Sequence, residues 1–467
     1  MSSEYEESRN IYIRQSTYNG GTESQATSTD VASGNNNDTV ADVSVSGVRG
    51  HKGLTVGLGA MFLVGEMAGA GVLNLPRAIA NTWWVGVPLL VVLTVAVGYS
   101  GTRLALCWVL LEERWPEYNS PCRRPYPAIA FRALGKPGRI VTEVALGLTL
   151  FGACTVYLLL ASQLIRDLVG QLIPSITECA WSLIIGLSLI PISWLGTPKD
   201  FWPASVVAVS STFLACLVVI GVVIARRDNY DPALYPAPTF NSFFLGFGSI
   251  LFALGGASIF PTIQNDMRVR SEFPQCVIIT FLVLLALYLP MVTVCYGVLG
   301  ANGIHDNILL AVSGWAVTVT QAFLFCHFIF AFSIIVNPLN QTLEGLFNLP
   351  NRLGVRRCLL RTGVLLVVML VSLAVPEFSK ILDLVGGSTV AVLSFVLPPL
   401  CYLRLCAVQG HDGLPLRELK RVEQVVLTVI VGVGVAGGVA ATWSALREIL
   451  SPGAFTTTCF SSATFLD

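Results

Sequence analysis

The chain has 467 residues, of which 54% are hydrophobic and only 12% charged, about half the charge content of a soluble domain. Its 28 Lys and Arg offset 28 Asp and Glu, so nothing in the charge balance supports nucleic-acid binding. Five of its twelve cysteines (Cys107, Cys154, Cys216, Cys295 and Cys326) lie inside apolar runs, and there is no CxxC or HExxH spacing. No metal site and no cofactor are therefore expected, nor is a nucleophile–base pair of an enzyme evident.

Residues 1–50 are rich in Ser, Thr, Asn, Gly and acidic residues and read as a disordered tail with no cleaved signal. The rest is an all-α polytopic membrane domain, expected over 51–450, with a short tail at 451–467. Eleven apolar runs are long enough to cross a bilayer: 54–80, 85–110, 141–171, 178–195, 203–225, 241–265, 274–299, 308–338, 359–376, 380–405 and 422–446. The fourth is short and flanked by Pro. Lys and Arg cluster in alternate connections, as in Arg123, Arg124, Arg132 and Lys136, Arg268 and Arg270, and Arg417, Lys420 and Arg421. The opposite side holds only Arg166, Arg226, Arg227, Lys380 and Arg447. The positive-inside rule then puts the N-terminus in the cytosol and the C-terminus on the exoplasmic side.

The first span contains a break, Gly65-Glu66-Met67-Ala68-Gly69-Ala70-Gly71, followed by Pro76. Non-helical backbone in lipid is tolerated only where protein or a water-filled cavity supplies hydrogen-bond partners. The sixth span has Gly255-Gly256 with Pro261, and in both spans Pro falls five residues after the last Gly. Spans one and six would then begin two five-span repeats, about 54–225 and 241–405, with an extra helix at 422–446. An odd number of spans per repeat inverts the second copy, and matching interruptions point to a transporter site. Half-helix N–H groups suit a carboxylate and half-helix carbonyls suit an ammonium. The site thus fits a zwitterion.

The break, Gly65 to Ala78, resembles the amino acid/auxin permease family. So do Tyr126-Pro127-Ala128-Ile129-Ala130, Ala133-Leu134-Gly135-Lys136, Phe151 to Leu158, and Phe260-Pro261-Thr262-Ile263-Gln264-Asn265-Asp266-Met267. The resemblance covers about 53–446. It implies a LeuT-type fold of two inverted five-helix repeats plus one helix, with helices one and six broken, and secondary active transport of amino acids. It also implies that Gly69, Ala70 and Gly71 bind the substrate carboxylate. Main chain of Phe252, Ala253, Leu254, Gly255 and Gly256 would take the ammonium, and Tyr157 would close the pocket. Sodium-coupled relatives carry an Asn and a Thr where this chain has Gly65 and Ala331. Sodium is thereby disfavoured, with Ser333 the remaining side chain for an ion site.

Glu66 lies one helical turn before Gly69 and on the same face, and an intramembrane carboxylate is a functional candidate. It is the expected proton-coupling group. Arg77, about 9 Å beyond the break, and Asp383 form a possible outer gate. His327 is expected to be a core histidine, Asn337-Pro338 a local helix break, and Arg103 and Glu143 interfacial. The expected function is proton-coupled transport of neutral amino acids by alternating access. The alternatives are a non-transporting amino-acid sensor, a sodium symporter and a channel. The expected partners are the substrate, the coupling ion and membrane lipid. No endosomal sorting signal is evident in the tail, which favours the plasma membrane over a lysosomal or vesicular one.

Overall fold

Apolar run length and helix-stop chemistry together set the architecture. The computed structural model describes residues 53–451 except 121, 123, 171–172, 174, 195–201, 348, 350–353, 376 and 409–416, together with Cys459. The tail expected at 1–50 and almost all of that expected at 451–467 lie outside the described residues. Span one is split into α1 (Val56–Met67) and α2 (Ala70–Thr82). Spans two to five are α3 (Gly86–Arg114), α4 (Pro125–Val169), α5 (Glu178–Trp194) and α6 (Trp202–Ala225). Span six is α7 (Phe240–Ala253) and α8 (Phe260–Asn265). Spans seven to nine are α9 (Phe273–Gly303), α10 (Trp315–Leu346) and α11 (Val355–Ala374). Span ten joins α12 (Phe378–Val385) to α13 (Leu397–Ala407), and span eleven is α14 (Arg421–Ile449). The protein is thus an all-α, multi-pass integral membrane protein with about eleven apolar helical spans.

Helix ends follow local chemistry. The Thr55 hydroxyl caps α1 at Leu58 N (3.4 Å). Thr239 and Ser242 form a reciprocal capping box at α7. Many hydroxyls within the spans bond back to their own helix, as Thr94 does to Leu90 O (2.6 Å) and Ser162 to Leu158 O (2.7 Å), which satisfies their donors inside the bundle. Large apolar side chains such as Val95, Leu282 and Val439 are exposed on the outside of the bundle, the face that lipid covers.

Several boundaries differ from expectation. A helical segment that begins at Pro125 precedes span three and is set off from it by a kink at Gly135, whose φ is positive (73°), just before Pro137. Only glycine adopts that conformation without strain. Span eight begins at Trp315, and residues 308–311 form a separate 3₁₀ turn. Asn337-Pro338 does not break it: Pro338 sits inside a helix that runs on to Leu346. Arg357 and Arg361 lie on α11, which begins at Val355 rather than 359, and both meet buried Glu344 of α10, at 2.8 and 2.6 Å. Span ten is irregular at its centre, where two π turns cover Gly386–Val390 and Val392–Val396. There Gly386 packs on the Gly248 carbonyl and Gly387 on Ala441, a backbone approach that leaves no room for side chains.

The packing repeats. Span one lies against span six, two against seven, three against eight and four against nine. Span five touches one, seven and eight, while ten touches six, two and three. Shifting each number by five into the other repeat turns the contacts of span five into those of span ten, which is consistent with a repeat fold. The start of span one meets the end of span six, where Leu54 N donates to Asp266 O (2.9 Å) and Arg268 N to Leu54 O (3.0 Å). The second half of span one packs along the first half of span six, so the two run in opposite directions. A disulfide, Cys179–Cys459, ties the start of α5 to the C-terminal segment.

Candidate functional site

The site begins where α1 stops. Ala68 and Gly69 leave the helical conformation, with Gly69 at φ −69°, ψ −105°. No side chain caps the new helix, so the first-turn N–H groups of α2, which have no intrahelical acceptors, point into the break. Gly71 allows span six to approach: a Cβ on it would lie 2.6 Å from Ala253 Cα. In span six, residues 254–259 bridge α7 and α8 by turns of their own, including Gly255 N to Phe252 O (2.9 Å) and Gly256 N to Leu254 O (3.0 Å).

One residue joins the two breaks. The buried Tyr288 hydroxyl of α9 lies 3.1 Å from both Met67 O and Ala253 O, the last carbonyls of α1 and α7. Tyr157 of α4 donates to the neighbouring Glu66 O (3.4 Å). Leaving such a buried carbonyl unpaired costs about 1–3 kcal/mol. Of the main-chain acceptors expected for an ammonium, those of Phe252, Ala253 and Leu254 already accept protein hydrogen bonds. The Gly255 carbonyl takes none of these.

Glu66 is half-buried, with Cys154 and Tyr157 within electrostatic range. Among the described residues no hydrogen bond or ion pair reaches its carboxylate. Ser333 directs its hydroxyl to Ile329 O of its own helix (2.9 Å), and Ala331, two residues before it, offers no side-chain oxygen. No group of three metal-binding side chains occurs among the described residues.

Arg77 and Asp383 do not form the expected ion pair. Arg77 instead meets Asp306, in the connection between spans seven and eight, at 3.4 Å, and Ser379 donates to Asp306 (2.7 Å). Asp383 is buried and accepts a hydrogen bond from Ser249 of α7, which in turn accepts from Asn74 of α2 (2.9 Å). Two polar links thus tie α2 to α12, one through Asp306 and one through Ser249. Arg103 pairs with Glu423 (3.3 Å) under the rings of Tyr99 and Tyr402. Glu143 pairs with Arg124 and Arg139.

Sequence reasoning missed Tyr288, Ser249 and Asp306 and set His327 aside. A tyrosine inside an apolar run was the one available signal, because a buried hydroxyl has to find a partner. Here the partner is the break itself.

Discontinuous helices in register, polar groups at mid-span and a repeat packing pattern define a membrane transporter rather than an enzyme. Residues 52–444 match the model of the transmembrane amino acid transporter protein family, and the chain belongs to that family. Among curated proteins it is similar to amino acid transporters AVT1J and AVT3C of Arabidopsis thaliana. AVT1J is 22% identical over 406 residues, covering 83% of this chain and 89% of that protein. AVT3C is 25% identical over 417 residues, covering 82% and 89%. Solved structures share the fold. One is a manganese transporter from Eremococcus coleocola, with TM-score 0.52, 13% identity and coverage of 88% of this chain and 93% of that one. Another is MHP1, a nucleobase-cation-symport-1 family transporter, with TM-score 0.51, 14% identity and coverage of 88% and 96%.

Proposed function

We propose that the protein is a proton-coupled secondary transporter of neutral amino acids, working by alternating access. The observation that carries this reading is the span-one break. Uncapped N–H groups of α2 stand one helical turn from Glu66, a carboxylate with no protein partner among the described residues. The N–H groups of Gly69, Ala70 and Gly71 would bind the substrate carboxylate. The ammonium would go to main chain of Phe252 to Gly256, chiefly the Gly255 carbonyl, with Tyr157 beside it. Glu66 would take up a proton on one side and release it on the other. The names of the Arabidopsis relatives support an amino acid as cargo, and the apolar surroundings of the break support a neutral one. The absence of side-chain oxygens at Gly65 and Ala331 favours a proton over sodium as coupling ion. Arg77 with Asp306, and Asp383 with Ser249, would serve as the outer closure.

The opposed directions of spans one and six, with the repeating contacts, support two inverted five-helix repeats, about 54–225 and 241–405, and an extra helix. The Cys179–Cys459 disulfide supports an N-terminus in the cytosol, since the charge pattern puts both cysteines on the non-cytosolic side, where disulfides persist. The plasma membrane remains the favoured location. Purified protein in proteoliposomes tests the reading, with pH and sodium gradients imposed separately on a panel of labelled amino acids. Uptake driven by the pH gradient in wild type, and indifferent to it in Glu66→Gln, is expected. Equal gradient dependence in both proteins would remove Glu66 from the mechanism.

A further inference from the structure

His327 lies on α10, one position before Phe328, whose ring stacks on Tyr157 (centroids 5.5 Å apart). The imidazole is 2% exposed, and neither of its nitrogens has a hydrogen-bond partner. It is not turned into an apolar layer. The point where a side chain on Gly69 would begin lies 3.1 Å from His327 Nε2 and 3.3 Å from Tyr157 Oη. The ring therefore faces the gap at the break that glycine leaves open. Tyr157 has its hydroxyl directed to Glu66 O, which leaves His327 as the polar group at this wall whose capacity is unused.

A neutral imidazole presents one N–H and one lone pair, and burying both without partners is unfavourable. A ligand hydroxyl or carboxamide, which donates and accepts, satisfies either tautomer. Helix α10 packs along α4 and α6, so the ring comes from the wall away from span six, whose main chain is assigned to the ammonium. What it meets is then the substrate's side chain. We infer that His327 is the specificity-determining residue of the site and selects neutral amino acids whose side chain carries a hydroxyl or carboxamide. This rests on the transporter reading and deepens it.

Threonine and valine are near-isosteres that differ by this hydroxyl, so they form the test pair. Their binding is read by ligand-induced thermal stabilisation of the purified full chain, and their transport by competition for uptake in proteoliposomes. Wild type is expected to favour threonine by about tenfold or more, the worth of one well-formed hydrogen bond. His327→Leu should bring the two within about threefold while still binding both, by the rule that an apolar wall discriminates weakly. His327→Gln, which keeps a donor and an acceptor, should retain a preference for threonine and serves if the Leu variant does not fold. An unchanged threonine-to-valine ratio in His327→Leu overturns the assignment, as does loss of the preference in a folded His327→Gln or a wild type that ranks the pair equally, the result expected if water satisfies the ring. Wild type that binds no amino acid at all overturns the transporter reading itself, and this inference with it.

Discussion

The two broken spans share a Gly-to-Pro spacing but are built differently. In span one the break is two residues, Ala68 and Gly69, and Pro76 lies well inside the following helix. In span six it covers 254–259, and Pro261 sits in the first turn of the short helix after it. The longer break supports itself through tight turns of its own backbone. The shorter one has its carbonyls held by tyrosines from spans three and seven, and it is flanked by Glu66 and His327. The span-six break is bridged mainly by its own backbone, whereas the span-one break is bordered by its own Glu66 and by side chains from spans three, seven and eight. Equal spacing in sequence does not mean equal chemical roles.

The sharpest way to break this division is at the contact where the two meet. Gly71→Val drives a branched side chain into Ala253 backbone and is expected to cost about 3 kcal/mol, the upper range for overpacking, and to abolish uptake. A variant with wild-type melting temperature in detergent would show that the two breaks do not close on each other. Next comes the shared clamp. Tyr288→Phe removes the donor to Met67 O and Ala253 O together, with an expected loss of about 2 kcal/mol, read by thermal unfolding. If the two spans depended equally on outside hydroxyls, Tyr157→Phe would match it. The smaller number expected for Tyr157→Phe, about 0.5 kcal/mol, follows from one long contact of 3.4 Å to Glu66 O. A loss from Tyr157→Phe as large as that from Tyr288→Phe would reverse the ranking of the two supports.

Much of the fold was legible because lipid imposes a simple rule: about 20 apolar residues make a span. The break at Gly69 was legible too, since clustered small residues beside a carboxylate have few other uses within a membrane. What escaped was whatever depends on a partner from another span. Tyr288 reads as one more apolar residue in Leu287-Tyr288-Leu289 until Met67 and Ala253 are brought to it. Asp383 was matched to Arg77 by depth, but depth does not fix azimuth, and Asp306 in a connecting segment reached the guanidinium instead. His327 looked like core because its neighbours are aromatic. Only the packed structure leaves both ring nitrogens without partners at the break. The π turns of span ten lie where Gly386 and Gly387 pack closely on spans six and eleven, contacts between spans that the sequence of span ten alone does not name.

The Cys179–Cys459 bridge carries a consequence for biogenesis. Spans four through eleven lie between the two thiols, an even number of crossings. Gain or loss of a single crossing in that stretch would strand the cysteines on opposite faces of the bilayer, where they could never meet. The bond also cannot close until the last helix has been inserted, because the second cysteine follows that helix, 280 residues after the first. The oxidised fraction of newly made chains is therefore a proofreading mark for the parity of spans four through eleven, the stretch that the bond encloses.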